Sequence, residues 1–185
     1  RRSLGPLHPG REMHFTRLKI SPSSAAELEA ARLAHEAQVE AQALWQPIGP
    51  GMAGLAALAS VLAQLAERHG QQPLSDVELE RTARRFGSLW GEHLKAEVGG
   101  TWGVGELFTE RIPGGLLLGP SQLKVWPCTE VRDRLRGREP MPLQERTQLL
   151  LERSRAPRPP PNDRLYNLKD GEGYFDAGVL PDGRQ

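Results

Sequence analysis

An α+β fold is predicted by three features of this chain. Helix-forming segments fill its first half. The hydrophobic period switches from about 3.6 to about 2 after Gly99-Gly100. Short apolar runs broken by Gly and Pro follow, which is the pattern of an antiparallel meander. The architecture expected is N-terminal helices packed on one face of a small antiparallel sheet, with short C-terminal helices after it.

His14–Ile20 (HFTRLKI) alternates loosely and reads as a short edge strand. Ser24 and Glu27 stand at capping-box spacing and open a first helix that runs to about Trp45. Its apolar stripe is thin: Leu28, Ala31, Leu33, Val39 and Leu44. Such a helix lies at the surface or needs a partner. Gln46–Met52 is a turn by composition. A second helix is expected from Gly54 to His69, capped by Gly70, with Leu55, Leu58, Val61, Leu62 and Leu65 as its buried face and alanines that let neighbours approach. Ser75 and Glu78 form a second capping-box pair, opening a third helix from Asp76 to about Val98. Leu79, Ala83, Phe86, Leu89, Trp90, His93, Leu94 and Val98 fall at steps of three and four there, a strongly amphipathic pattern.

Thr101–Phe108, Gly115–Leu118 and Ser121–Trp126 are the extended candidates, separated by turns at Ile112-Pro113-Gly114-Gly115 and Gly119-Pro120. A short helix from Glu130 to Leu135 ends at Gly137, and Pro142 opens a last one over Leu143–Arg155. The domain is therefore placed at residues 14–156, between a flexible extension (1–13) and a Pro/Gly-rich tail (157–185). The tail's isolated aromatics, Tyr166, Tyr174 and Phe175, suit docking onto something else.

Composition narrows the function classes. Net charge is +1 over 185 residues, which argues against a nucleic-acid footprint over the whole protein. One cysteine, Cys128, excludes an intramolecular disulfide and any CxxC site. That usage fits a reducing cytoplasm. The longest apolar run, Gly51–Ala66, is shorter than the roughly 20 residues that span a bilayer, so no membrane span is expected.

Gly87-Ser88-Leu89-Trp90-Gly91-Glu92 is the most distinctive stretch. Each helical glycine costs about 1 kcal/mol relative to Ala. Four-residue spacing puts both on one face, where a neighbouring backbone can lie close. Glu92 is either a general base, or partner to His93, or a structural acceptor for the following sheet. Adjacent helical side chains point about 100° apart, so Glu92 and His93 form no ready pair. Cys128 is nucleophilic if a helix N-terminus lowers its pKa, and an inert core thiol otherwise. The glycines from Gly99 to Gly105 make no phosphate loop, because a helix precedes them and an extended segment follows. His8, His14, His35, His69 and His93 show no metal-ligand spacing, and no cofactor is implied. Arginines from Arg132 to Arg158 interleave with carboxylates and lack stacking aromatics, so nucleic-acid binding through them is the weakest reading.

Residues Phe86 to Leu143, about a third of the chain, resemble a bacterial family of domains of unknown function. The resemblance is carried by Gly87, Gly91 and Glu92 on a helix, by Gly99, Gly100 and Trp102 at a turn into a strand, by Pro127, and by Val131, Leu135 and Gly137. Where that family often has Phe after the Pro, this chain has Cys128. The resemblance implies a small intracellular α+β domain and carries no chemistry with it. With catalytic motifs absent and the first helix and the tail underfilled, the function expected is a non-catalytic module that binds another protein; an immunity- or secretion-associated accessory protein fits that description, and nothing in the residues selects it over other adaptors. The alternatives are a small hydrolase or transferase using Glu92 and His93 or Cys128, and nucleic-acid binding through the arginines.

Overall fold

The computed structural model describes residues 19–107 and 110–157. The segment 14–18 of the expected edge strand, the extension 1–13 and the tail beyond 157 lie outside the described residues. In chain order the elements are β1 (Lys19–Pro22), α1 (Ser24–Leu44), a 3-10 turn (Gly51–Gly54), α2 (Leu55–Gln71), α3 (Asp76–Val98), β2 (Gly100–Leu107), β3 (Glu110–Leu118), β4 (Leu123–Val125), α4 (Pro127–Leu135) and α5 (Leu143–Arg155). The strands form one antiparallel sheet in the order β1-β2-β3-β4. This is the α+β architecture the periodicity predicts, with α1, α3 and α4 packed on the sheet.

Helix α3 is the central element. Its capping box forms as expected: the Glu78 N–H donates to Ser75 Oγ at 3.3 Å and the Ser75 N–H to Glu78 Oε2 at 3.0 Å. From Phe86 to Gly91 every residue is buried, so the helix is enclosed all round there. One side takes α2, α5 and the apolar residues read from its pattern. The other is the glycine face. A Cβ built on Gly87 would stand 2.4 Å from Cys128 Cα, and one on Gly91 would stand 2.3 Å from the Trp102 ring. Only glycine lets the α4 N-terminus and the Trp102 indole lie against the helix backbone.

Helix α1 corrects two expectations. Its N-cap is Ser23, not Ser24: Ser23 Oγ accepts from the Ala26 N–H at 3.4 Å, and Glu27 takes no part in a capping box. Its buried face is Ala30, Leu33, Ala34, Ala37 and Ala41, while Leu28, Val39 and Leu44 are exposed. The alanine row wins because α1 must lie close to α3, held by Arg85–Glu40 at 2.6 Å and Arg84–Glu29 at 2.7 Å. In α2 the expected leucine and valine face is buried, but Ala56 and Ala63 are exposed and Gly70 lies inside the helix, which continues to Gln71. The expected turn at Ile112–Gly115 is instead the middle of β3. The register between β2 and β3 shifts at Gly103/Val104, leaving Gly114 as an extra residue with φ 76°. This is a β-bulge, which bends the strand without ending it.

Helices α4 and α5 are locked by a buried bidentate ion pair. Arg146 Nε donates to Glu130 Oε2 at 2.8 Å and its Nη2 to Oε1 at 2.9 Å. Beside it, the Trp90 indole N–H donates to Thr147 Oγ1 at 2.9 Å, and Thr147 donates to the Leu143 carbonyl at 2.7 Å. Every polar group of that cluster that is named here has a partner, as burial requires.

The two kinds of glycine should separate in a stability measurement. Gly91→Ala is expected to cost about 1–3 kcal/mol in urea unfolding, because the methyl must displace the Trp102 ring. Gly70→Ala has nothing within 4 Å of its new Cβ and is expected to gain about 0.5–1 kcal/mol from helix propensity. Equal effects at the two positions would refute the close-approach account.

Candidate functional site

Trp102 is the anchor from which the site is built. Its backbone lies just past the end of β1, where strand pairing stops and both polar groups need other partners. The Ser23 N–H donates to its carbonyl at 3.1 Å, and its own N–H donates to Glu27 Oε1 at 2.8 Å. Its indole N–H donates to Glu92 Oε1 at 2.6 Å. Lys95 sits between the two carboxylates, paired with Glu27 and 3.8 Å from Glu92. Glu92 therefore serves as acceptor to the sheet's central tryptophan. Glu27, read from the sequence only as a cap, is the second acceptor.

His93 points to a different place. It is 3% exposed, and neither ring nitrogen has a hydrogen-bond partner among the described residues. Burial pushes its pKa below the ordinary value of 6.5, against the opposing pull of Glu97. The ring is thus held in its neutral form, buried and away from either cavity.

Cys128 occupies the first turn of α4, next to Pro127. Its thiol donates to the Arg84 carbonyl at 3.7 Å and lies 4.0 Å from Ser88 Oγ. Burial pushes the thiol up to about 11, more than Ser88 and the Arg84 charge pull it down. At neutral pH it is a protonated thiol, although it sits at a helix N-terminus.

Two adjoining cavities run along α1. The first, about 460 Å³, lies between α1, the middle of α3, the bulged part of β3 and the first turn of α4. Ala26, Ala30, Leu33, Val104, Ile112 and Cys128 give it apolar surface. The second, about 720 Å³, continues between α1, the start of α3 and the end of α4. Glu29, Leu33, Glu80, Arg84 and Arg132 line both, so the two form one groove. The Arg84–Glu29 pair crosses it from α3 to α1, and Arg132 reaches Glu80 at 3.5 Å. Of the three catalytic candidates only Cys128 lines this groove; Glu92 and His93 do not. Of the glycine-rich motif, Trp102 lines it, while Gly87, Gly91 and Pro127 fix the positions of its walls.

The groove residues the sequence reading passed over are Glu29, Glu80, Arg84 and Arg111, together with the Gly114 bulge. Glycine inside a strand often marks a bulge, and Gly114 and Gly115 carry that signal. Among the described residues no three His, Cys, Asp or Glu side chains gather to hold a metal ion, and no helix is long and apolar enough to cross a membrane.

Comparison with family models, with curated proteins and with solved structures finds no match.

Two titrations follow from these environments. The unfolded chain protonates His93 at its ordinary pKa, while the folded chain resists it, so the contribution is complete above pH 6.5 and is lost as pH falls below that value. The unfolding free energy from urea titrations should fall on acidification from pH 6.5. His93→Phe should flatten that drop by up to about 1.4 kcal/mol per pH unit, and an unchanged slope would show that other groups set it. The Cys128 thiol should react with an aromatic disulfide reagent at pH 8 about tenfold or more slowly in the folded protein than in urea. Equal rates would mean a thiol freer and more acidic than the geometry allows.

Proposed function

We propose that this chain is a non-catalytic module of a reducing, cytoplasmic compartment that binds a segment of another protein in the α1–α3–α4 groove. The observation that carries it is the groove itself: a first cavity lined largely by apolar residues, a second lined mostly by charged ones, and five residues that line both. Protein sites of this size and mixed lining suit a peptide-sized occupant. The catalytic alternative has less support. Its three candidates do not share the groove, Cys128 is held protonated, and His93 is buried outside the groove without a hydrogen-bond partner among the described residues. Nucleic-acid binding is disfavoured by the carboxylates of Glu29, Glu36, Asp76 and Glu80, which share the groove with its arginines and would repel a continuous phosphate backbone.

Ala25 lines the first cavity and is exposed, so a large side chain there narrows the groove without disturbing the core. Tagged protein passed through native lysate should retain one stoichiometric protein, and Ala25→Trp should lose it while keeping the wild-type unfolding midpoint. Retention of the same proteins by both forms, or of none by either, would overturn the reading.

A further inference from the structure

The charges of the groove specify what kind of segment fits it. Six arginines line the two cavities (Arg32, Arg81, Arg84, Arg111, Arg132 and Arg136) against four carboxylates. Arg81 and Arg111 make no ion pair with any described residue, and both are exposed at opposite ends of the groove. The remaining arginines are paired, but in exposed or half-exposed pairs: Arg84–Glu29 has side chains 40% and 47% exposed, and Arg132–Glu80 28% and 50%. Solvent-exposed pairs of that kind contribute little to stability. An incoming carboxylate can replace Glu29 or Glu80 at little cost.

A further positive element lies at the apolar end. Helix α4 begins with Pro127, which has no N–H, and no side chain caps its first turn. The Cys128 and Thr129 residues of that turn line the first cavity, so the positive end of the helix lies beside it. Along α1 the lining runs from Ser23 to Glu36, a rise of roughly 20 Å. That length accommodates about six residues of extended chain.

We propose, resting on the binding reading above, that the occupant is an acidic peptide segment of a partner protein: an aliphatic side chain enters the cavity at the Gly114 bulge, and flanking Asp or Glu side chains reach Arg81 and Arg111 and exchange onto Arg84 and Arg132. Discrete carboxylates on a flexible segment can alternate with Glu29 and Glu80. A basic segment would meet two unpaired arginines and a net excess of positive charge.

The test is a selection of random displayed peptides on the intact protein, followed by fluorescence-anisotropy titration of the selected peptides. Acidic sequences with one recurrent aliphatic position are expected. Their affinity should fall about tenfold in the Arg81→Glu/Arg111→Glu double variant, whose sites are exposed and leave the core intact. It should also fall as salt is raised from low to physiological strength. Neutral or basic winners, or acidic winners indifferent to the double variant, would overturn the acidic-segment proposal and leave the groove reading standing, provided Ala25→Trp abolishes their binding. Winners indifferent to Ala25→Trp, or none at all, would overturn both. Tight binding of oligothymidine in place of any peptide would assign the arginines to phosphate and overturn the proposal as well.

Discussion

The contact between Gly91 and the Trp102 indole is the constraint on which the rest of the structure depends. A helix and a strand adjacent in sequence must here approach closer than any side chain on α3 would permit. Gly91 removes the side chain, and the ring takes the space. Trp102 then acts as a three-way tie. Its indole N–H goes to Glu92 on α3, its backbone N–H to Glu27 on α1, and its carbonyl to the Ser23 N–H at the end of β1. The orientation of the sheet relative to both helices follows from one residue. Gly87, one turn earlier, repeats the device against Cys128, so the same helix face also seats the start of α4.

On the opposite side of α4 the constraint is electrostatic. Glu130 and Arg146 are 6% and 5% exposed and meet in a bidentate geometry. Burial raises the Glu130 pKa, opposed by the Arg146 guanidinium, whose own pKa is raised by the pairing in spite of its desolvation. The paired carboxylate-guanidinium form is the one that the geometry favours. Taking both charges out of water consumes most of what their attraction returns. The pair therefore contributes more to register than to net stability: it admits one azimuth of α4 against α5. Removing one member would cost about 3–5 kcal/mol by stranding the other. With α4 fixed on one side by this pair and on the other by Gly87, its first turn has one direction available, toward the cavity under the β3 bulge.

How much of this was legible follows from what kind of signal each feature leaves. Helix α3 was readable end to end, because its cap, its apolar steps and its terminal Gly99 are local. The close approach at Gly87 and Gly91 was readable in kind, since two costly residues on one helix face need a packing reason. The partners, Trp102 and Cys128, were not, because sequence spacing does not say which strand or helix fills the space. The α1 face is hidden in the sequence for a physical reason. Alanine carries little apolar area, so a row of it is quieter than Leu28, Val39 and Leu44, yet small size is what packing on α3 required. The β3 bulge was mistaken for a turn because Pro and two glycines serve both purposes. Glu130 and Arg146 lie on separate helices among many other charges, and nothing local distinguishes them from solvated neighbours. The groove has the least local signature of all, being lined by α1, α3, the sheet and α4 together.

The molecule thus holds its polar groups in two different regimes. Glu130, Arg146, Trp90 and Thr147 are dry, saturated with partners and fixed, and they set the frame. Glu29, Glu80, Arg84 and Arg132 are wet enough to exchange partners at small cost, and they line the groove. The proposed binding surface needs both. If the frame charges were exchangeable, the groove would have no stable shape to recognise. If the groove charges were as tightly paired as Glu130 and Arg146, a ligand would have to break a desolvated pair before gaining anything. The Cys128 thiol belongs to the same logic: held protonated by burial, it behaves at the cavity wall as a small apolar group with a weak donor. As a protonated thiol it is a weak nucleophile, which fits the proposed binding role better than a catalytic one.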